Sequence, residues 1–231
     1  MRSPLIKSAL VLMTVFGMSG TSFSQTHYSS NVSVGVKGGV DLSRVSFTPS
    51  VKQSFAMGGN AGVTFRYIEE NHFGLIAEVN FEQRGWKEDF EGKYPYEYTR
   101  TLNYVQIPFL AHIYFGRRGR FFFNAGPEIG FMIGESTKAN FDYNNISSIP
   151  DFPASLRTTY QYQMAAENKV DFGISAGLGG EFSINKRNAI YIEGRFYYGL
   201  GNVLKSGRTE NFRGSNSMSI MASIGYWIRI K

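Results

Sequence analysis

Apolar side chains occupy every second position in eight segments of the chain. A two-residue period places alternate side chains on opposite faces of a β-strand. No charged side chain falls within the apolar set of any segment. We therefore predict eight strands, with apolar sets within residues 32–42, 61–67, 73–81, 105–115, 121–133, 170–182, 190–200 and 218–228.

The opposite face of the same segments carries glycine and charge. Glycine recurs there in almost every segment, so this face has little side-chain volume. Acidic and basic residues are mixed on it, and the numbers of the two are similar. The charged residues of this face are Lys37, Asp41, Arg66, Glu78, Glu82, Arg84, Glu128, Asp171, Glu181, Glu193, Arg195 and Arg229.

The connections between the predicted strands alternate in length. Three are tight turns, at residues 69–71, 116–119 and 185–188, and these predict β-hairpins. Four are long, at residues 43–56, 85–100, 134–168 and 201–217. Short turns at one end and long loops at the other are typical of outer-membrane barrels, whose short turns face the periplasm.

The glycine-rich face decides which side points inward. An eight-stranded barrel has an interior just wide enough for side chains to fill, so it cannot enclose the many Phe, Ile and Tyr side chains of the apolar face. Lipid can cover that face, and strands of about ten residues are long enough to cross a bilayer. We predict an all-β, eight-stranded antiparallel up-and-down transmembrane β-barrel. A two-sheet periplasmic sandwich and a lipocalin-like ligand barrel are the alternatives.

Two prolines fall inside predicted strands. Proline lacks the N–H group that a ladder requires, so within a sheet it usually marks an edge or a bulge. We therefore expect β-bulges at Pro108 and Pro127.

Composition and the first residues indicate the location. The chain has 231 residues, enough for one domain, and no cysteine. Its net charge of +6 comes from scattered bases, which does not indicate a nucleic-acid partner. Residues 1–25 combine a basic start, a short apolar run and small residues, as a cleaved signal peptide does. We expect residues 26–231 to form the barrel domain in the bacterial outer membrane.

Five sequence segments carry a family resemblance. They are Gly-Val-Lys-Gly-Gly-Val-Asp-Leu-Ser at 35–43, Phe-Glu-Gln-Arg-Gly-Trp at 81–86, Leu-Asn-Tyr-Val-Gln-Ile-Pro-Phe-Leu at 102–110, Asn-Ala-Gly-Pro-Glu-Ile-Gly at 124–130 and Gly-Ile-Ser-Ala-Gly-Leu-Gly at 173–179. With them the chain resembles the PorT-like, or porin-family, outer-membrane β-barrel proteins of Bacteroidetes-type bacteria. The resemblance implies an eight-stranded barrel but no single activity. Some relatives take part in type IX secretion.

The inward charges are the main candidate site. They form either a structural plug of ion pairs or a polar pathway through the barrel, and the narrow interior favours the plug. The three histidines, His27, His72 and His112, show no spacing typical of a metal site or a Ser-His-Asp site. We expect neither enzymatic activity nor a cofactor.

The long loops are the second candidate site. Trp86, Tyr94, Tyr96 and Tyr98 predict either a docking surface for a protein or glycan or an aromatic girdle at the membrane interface. We expect a structural or interaction component of the envelope, with outer-membrane lipid and an envelope protein complex as partners. The alternatives are a narrow channel for ions or small solutes and a type IX secretion or biogenesis factor.

Overall fold

The computed structural model describes residues 30–90, 92, 94–150, 152, 160–206 and 210–230, with only the backbone described for Glu69 and Tyr160. The predicted signal peptide lies outside these residues. The described strands are β1 (Asn31–Thr48), β2 (Gln53–Ser54), β3 (Ala56–Glu70), β4 (Phe73–Glu88), β5 (Tyr98–Gly116), β6 (Gly119–Ala139), β7 (Val170–Ser183), β8 (Asn188–Asn202) and β9 (Gly214–Arg229). Short 3-10 turns lie at Ile146–Ser148 and Tyr160–Tyr162.

The eight long strands form a closed antiparallel ring. Each pairs with the next along the chain, β1 pairs with β9, and the β4–β5 pairing joins the two ends of the sheet. The two-residue β2 only extends the edge of β4. Closure satisfies the backbone hydrogen bonds that an open sheet edge would expose to lipid. The predicted all-β, eight-stranded up-and-down barrel is confirmed.

The expected bulges at the two prolines are wrong. Pro108 pairs with Glu128, and Ala111 pairs with Ala125 in the same register, so β5 and β6 gain no extra residue between them. The β5–β6 irregularity lies instead between Asn103 and Tyr104. Each proline removes one N–H donor from the ladder, and the strands keep their alignment around the gap.

The two faces of the wall are as the alternation predicts. Phe109 and Ile174 are more than half exposed on the outer wall, whereas Glu78 and Arg195 are only 4% and 3% exposed inside. A Cβ on inward Gly39 would lie 2.0 Å from the Ala222 carbonyl oxygen, whereas on outward Gly38 its nearest neighbour would be 3.6 Å away. The interior therefore needs glycine where neighbouring strands approach closely.

Two apolar clusters lie inside the barrel, one at each end. The lower cluster, at the short-turn end, contains Ile68, Ile76, Leu110, Tyr114, Phe122, Ala189, Tyr191 and Trp227. The upper cluster, at the long-loop end, is larger and includes Phe47, Trp86, Phe90, Tyr98, Leu102, Tyr104, Tyr162, Leu204 and Phe212. Buried polar side chains fill the space between them.

At the long-loop end, the strands continue beyond the band of exposed apolar side chains on the outer wall, which we call the apolar belt. β5 has 19 residues and β6 has 21, and the exposed face of β6 beyond Ile133 becomes polar. The segments that we predicted as long loops therefore consist partly of β-strand. We call the upper cluster, with these strand ends and the segments that pack on it, the cap.

No helix in the described part of the chain is long and apolar enough to cross a membrane.

Candidate functional site

The inward side chains of β4 give the order of the interior. From the short-turn end they are Ile76 in the lower cluster, Glu78, Asn80, Glu82, Arg84, Trp86 in the upper cluster, and Glu88. Strand alternation directs each of them inward because they occupy every second position. The interior therefore contains charge layers between two apolar clusters.

Arginines surround one carboxylate at the lower mouth. Glu181 is buried and pairs with Arg66 and, at 3.2 Å, with Arg120. The Arg66 guanidinium also lies 4.5 Å from the centroid of the Trp227 ring, and Arg120 lies 5.0 Å from that of Tyr114. Ion pairing and ring contact together compensate for removing these cations from water.

Glu78 is the centre of the middle layer. Arg195 donates to both of its carboxylate oxygens at 2.8 Å, and Lys37 donates to Oε2 at 2.7 Å. Asn80 adds a fourth hydrogen bond at 2.8 Å. Arg195 also pairs with Glu193 at 2.9 Å. The middle layer is balanced, because two carboxylates face two cations.

The upper layer contains an excess of carboxylates. Arg84 pairs with Glu82, with Glu128 at 2.6 Å and with Asp171 at 3.6 Å. Its guanidinium lies 3.7 Å from the centroid of the Tyr197 ring. Three carboxylates thus surround one guanidinium in a buried site.

A fourth carboxylate lies near this layer. Asp41 accepts a hydrogen bond from Asn60 at 2.7 Å, and its Oδ2 has no hydrogen-bond partner among the described residues. The amide of Gln106 is fully buried and is likewise without a partner in the described chain. The upper layer therefore contains more carboxyl groups than basic groups, unlike the middle layer.

A further ion pair anchors the cap to the barrel. Arg100 of β5 pairs with Glu135 of β6 at 2.8 Å and donates to the Met164 carbonyl at 2.6 Å. Gln161 donates to Glu88 at 3.0 Å. These contacts fix the segment around the 3-10 turn at Tyr160–Tyr162 over the barrel mouth.

Aromatic side chains pack against one another in the cap. Tyr98 lies 4.7 Å from Tyr162, and Tyr96 lies 5.4 Å from Phe141 and 5.1 Å from Phe152, measured between ring centroids. Burial raises the pKa of Tyr98 to about 12. The cap is a packed aromatic layer above the outer wall's apolar belt.

Eleven of the twelve charged residues proposed for the lumen lie buried in the interior. They are Lys37, Asp41, Arg66, Glu78, Glu82, Arg84, Glu128, Asp171, Glu181, Glu193 and Arg195. Arg229 is half-buried at the end of β9 and lines the lower mouth instead.

The loop candidates separate into two groups. Trp86 and Tyr98 are fully buried in the upper cluster, so their rings are not available as a docking surface or as a membrane girdle. Tyr94 and Tyr96 pack against that cluster and stay partly exposed. Burial of the first pair follows from their inward parity on β4 and β5, which continues above the membrane belt.

Several site residues were not predicted. Asn80 and Asn124 hydrogen-bond to Glu78 and Glu193 inside the lumen. Arg100 has inward parity on β5 but lies in the predicted loop 85–100, and Arg120 has inward parity on β6 directly after the predicted turn 116–119. The alternation contained the signal, since Arg100 precedes Leu102 by two residues and Arg120 precedes Phe122 by two.

Small cavities remain between the described residues of the interior. Two cavities of about 10 Å³ each lie near the lower end, one at the mouth beside Arg66 and one between Glu78, His112 and Tyr191. Each could hold one water molecule at most. His112 Nδ1 lies 2.7 Å from Asn124 Oδ1. Within the described residues, no cluster of His, Asp and Glu has the arrangement of a metal site.

A closed antiparallel ring with an apolar outer wall and a charged interior defines a transmembrane β-barrel. The chain belongs to the outer membrane protein beta-barrel domain family, whose model matches residues 23–205. It is therefore a protein of the bacterial outer membrane.

Solved outer-membrane barrels resemble the chain at low sequence identity. Neisserial surface protein A is 11% identical with a TM-score of 0.48, and the match covers 87% of this chain and 99% of that one. OprG from Pseudomonas aeruginosa is 9% identical with a TM-score of 0.49, covering 86% and 95%. Ail, the attachment invasion locus protein of Yersinia pestis, is 12% identical with a TM-score of 0.40, covering 85% and 99%. No curated protein sequence matches the chain significantly.

Proposed function

We propose that this protein is a closed barrel that acts through its extracellular cap as a structural or interaction component of the cell envelope. The observation that carries the proposal is the filled interior, in which two apolar clusters enclose ion-paired charge layers. In this proposal, a lumen of this kind stabilises the barrel rather than conducting solute. The surface proposed for the envelope role is the cap.

The chemistry of the cap supports a docking role. Tyr94, Tyr96, Phe141 and Tyr143 are partly exposed, and the neighbouring loop exposes the polar segment 144–148 around a half-buried Ile146. Tyrosine with Asn and Ser is a combination that binding surfaces use, because rigid rings supply contact area and amides supply hydrogen bonds. Ring contacts hold Tyr96 in place, which lowers the entropy lost on binding.

Site-specific photocrosslinking in intact cells tests the docking role. A photoreactive residue at Tyr96 or Asn144 is expected to give a discrete crosslinked species, whereas one at Phe109 on the lipid-facing wall is expected to give none. The double change Tyr94→Ala and Tyr96→Ala should reduce crosslinking at Asn144. An absence of any crosslinked protein or glycan at both cap positions would contradict the proposal.

A narrow channel is the second candidate, and one observation gives it a specific form. The upper layer places Glu82, Glu128 and Asp171 around Arg84, with Asp41 nearby. A lumen that opened along this layer would select cations, because carboxylate rings favour them.

Kinship with the PorT-like group is a further proposal, and the sequence segments quoted above support it. It would connect the cap to an envelope assembly such as the type IX secretion machinery. The crosslinked partner would test this, since a partner unrelated to protein secretion would count against it.

A further inference from the structure

The short-turn end of the barrel is unevenly charged. Two of its turns carry the exposed pairs Arg117–Arg118 and Lys186–Arg187, and none of these four side chains forms an ion pair with a described acidic residue. The third turn, between β3 and β4, carries the exposed Glu70 instead. The bases are therefore collected on the side of the rim formed by β5 to β8.

The two basic turns are neighbours. The backbone N–H of Ser183, at the end of β7, donates to the Arg118 carbonyl at 2.9 Å, and that of Arg229 donates to the Arg187 carbonyl at 2.7 Å. Among the described residues, the small cavity at the lower mouth is lined by the exposed Lys186 and Arg187, by the Arg66–Glu181 ion pair and by Arg229. Such a rim attracts anions.

An apolar groove lies on the outer wall beside these turns. It has a volume of about 360 Å³ and is lined by Gly119, Gly180, Phe182, Ile190 and Ile192, with Arg120, Glu181 and Tyr191 between them. A Cβ on Gly180 would have no heavy atom nearer than 4.0 Å, so this glycine leaves open space on the wall. Ile190 is three residues from Arg187, which corresponds to about 10 Å along a strand.

The groove and the turns together have the chemistry of a lipid site. The groove faces acyl chains, and the bases lie just beyond exposed Phe115, Phe121 and Ile184, at the level where the apolar wall ends. We propose that this end of the barrel binds an anionic phospholipid of the periplasmic leaflet, with an acyl chain in the groove and the phosphate on the basic turns. Juxtamembrane bases attract anionic headgroups in this way.

A larger groove elsewhere on the wall provides an internal comparison. It has a volume of about 600 Å³, is lined by Val36, Val63, Phe65, Val79 and Phe109 among others, and lies on the β1, β3 and β4 side. The turn on that side carries Glu70 rather than a group of bases. It should accept acyl chains without regard to headgroup charge, so headgroup preference belongs to the smaller groove.

Native mass spectrometry of the full chain in detergent tests the proposal, with phosphatidylglycerol and phosphatidylethanolamine of matched chains added in equal amounts. The wild-type protein should retain phosphatidylglycerol preferentially. The double change Lys186→Glu and Arg187→Glu should lower that preference about tenfold. Charge reversal at the exposed cap residues Lys138 and Arg213 makes the same change in net charge at the other end and should leave the preference intact.

The groove has its own variant and control. Gly180→Leu fills the open space and should lower retention of phosphatidylglycerol about fivefold by excluding the chain. Gly194→Leu adds the same side chain to another open position of the outer wall and should have no effect. Mobility on unheated gels confirms that each variant is folded. Equal retention of the two lipids by the wild type, or unchanged retention by the folded Gly180→Leu variant, would overturn the proposal.

Discussion

Glu78 shows how a buried charge is kept stable in this barrel. Its carboxylate receives four hydrogen bonds from Lys37, Asn80 and Arg195, and its side chain is 2% exposed. Burying two ions costs free energy that only close pairing and additional hydrogen bonds compensate. Each cation of the middle layer therefore depends on the carboxylates beside it.

The change Glu78→Gln tests this dependence. It leaves Lys37 and Arg195 with only Glu193 as a charged partner in the middle layer, and we expect the free energy of unfolding to fall by about 3–5 kcal/mol. Urea-induced unfolding in lipid vesicles measures it.

Glu135→Gln is the matched control. Glu135 also pairs with an arginine, Arg100, but its side chain is 35% exposed, so the change should cost at most about 1 kcal/mol. Similar losses in the two variants would show that burial is not what makes the middle layer important.

At the scale of strands, the sequence predicted the membrane-spanning part better than the cap. Within the belt, lipid outside and charge inside impose a strict alternation, which identifies all eight strands. Above it the apolar upper cluster lies inside the barrel and solvent lies outside, so the apolar and polar faces change places while strand pairing continues. This is why β1 continues to Thr48 and β6 to Ala139.

Trp86 links these strand ends to the cap. It is fully buried and contacts Phe47 edge-to-face, with 5.3 Å between the ring centroids. Its ring centroid also lies 5.4 Å from the Arg100 guanidinium carbon. Replacing a buried Trp by Ala costs about 3–5 kcal/mol. We expect Trp86→Ala to loosen the cap, so that protease added to intact cells cleaves within residues 134–168 about tenfold faster.

Phe109→Ala controls for the loss of a large aromatic side chain, because Phe109 lies on the outer wall away from the cap. It should leave the cleavage rate unchanged. If Trp86→Ala is as resistant as the wild type, Trp86 does not hold the cap closed.

At the scale of the whole molecule, the sequence predicts which charges face inward but not which of them meet. Arg66 and Glu181 are 115 residues apart, and Arg195 and Glu78 are 117 apart. Their pairing depends on how strands face one another across the closed ring, which alternation within a strand does not determine. The excess of carboxylates around Arg84 and the apolar clusters at both ends appear only in three dimensions.

The closed interior is the central claim, and single-channel conductance in a planar bilayer tests it most directly. The wild-type protein should show no steady conductance, because two apolar clusters and three groups of ion pairs fill the lumen. Removing the cation at the centre of the upper layer, in Arg84→Ala, should raise the frequency of brief openings. Steady, cation-selective channels in the wild-type protein would contradict the account.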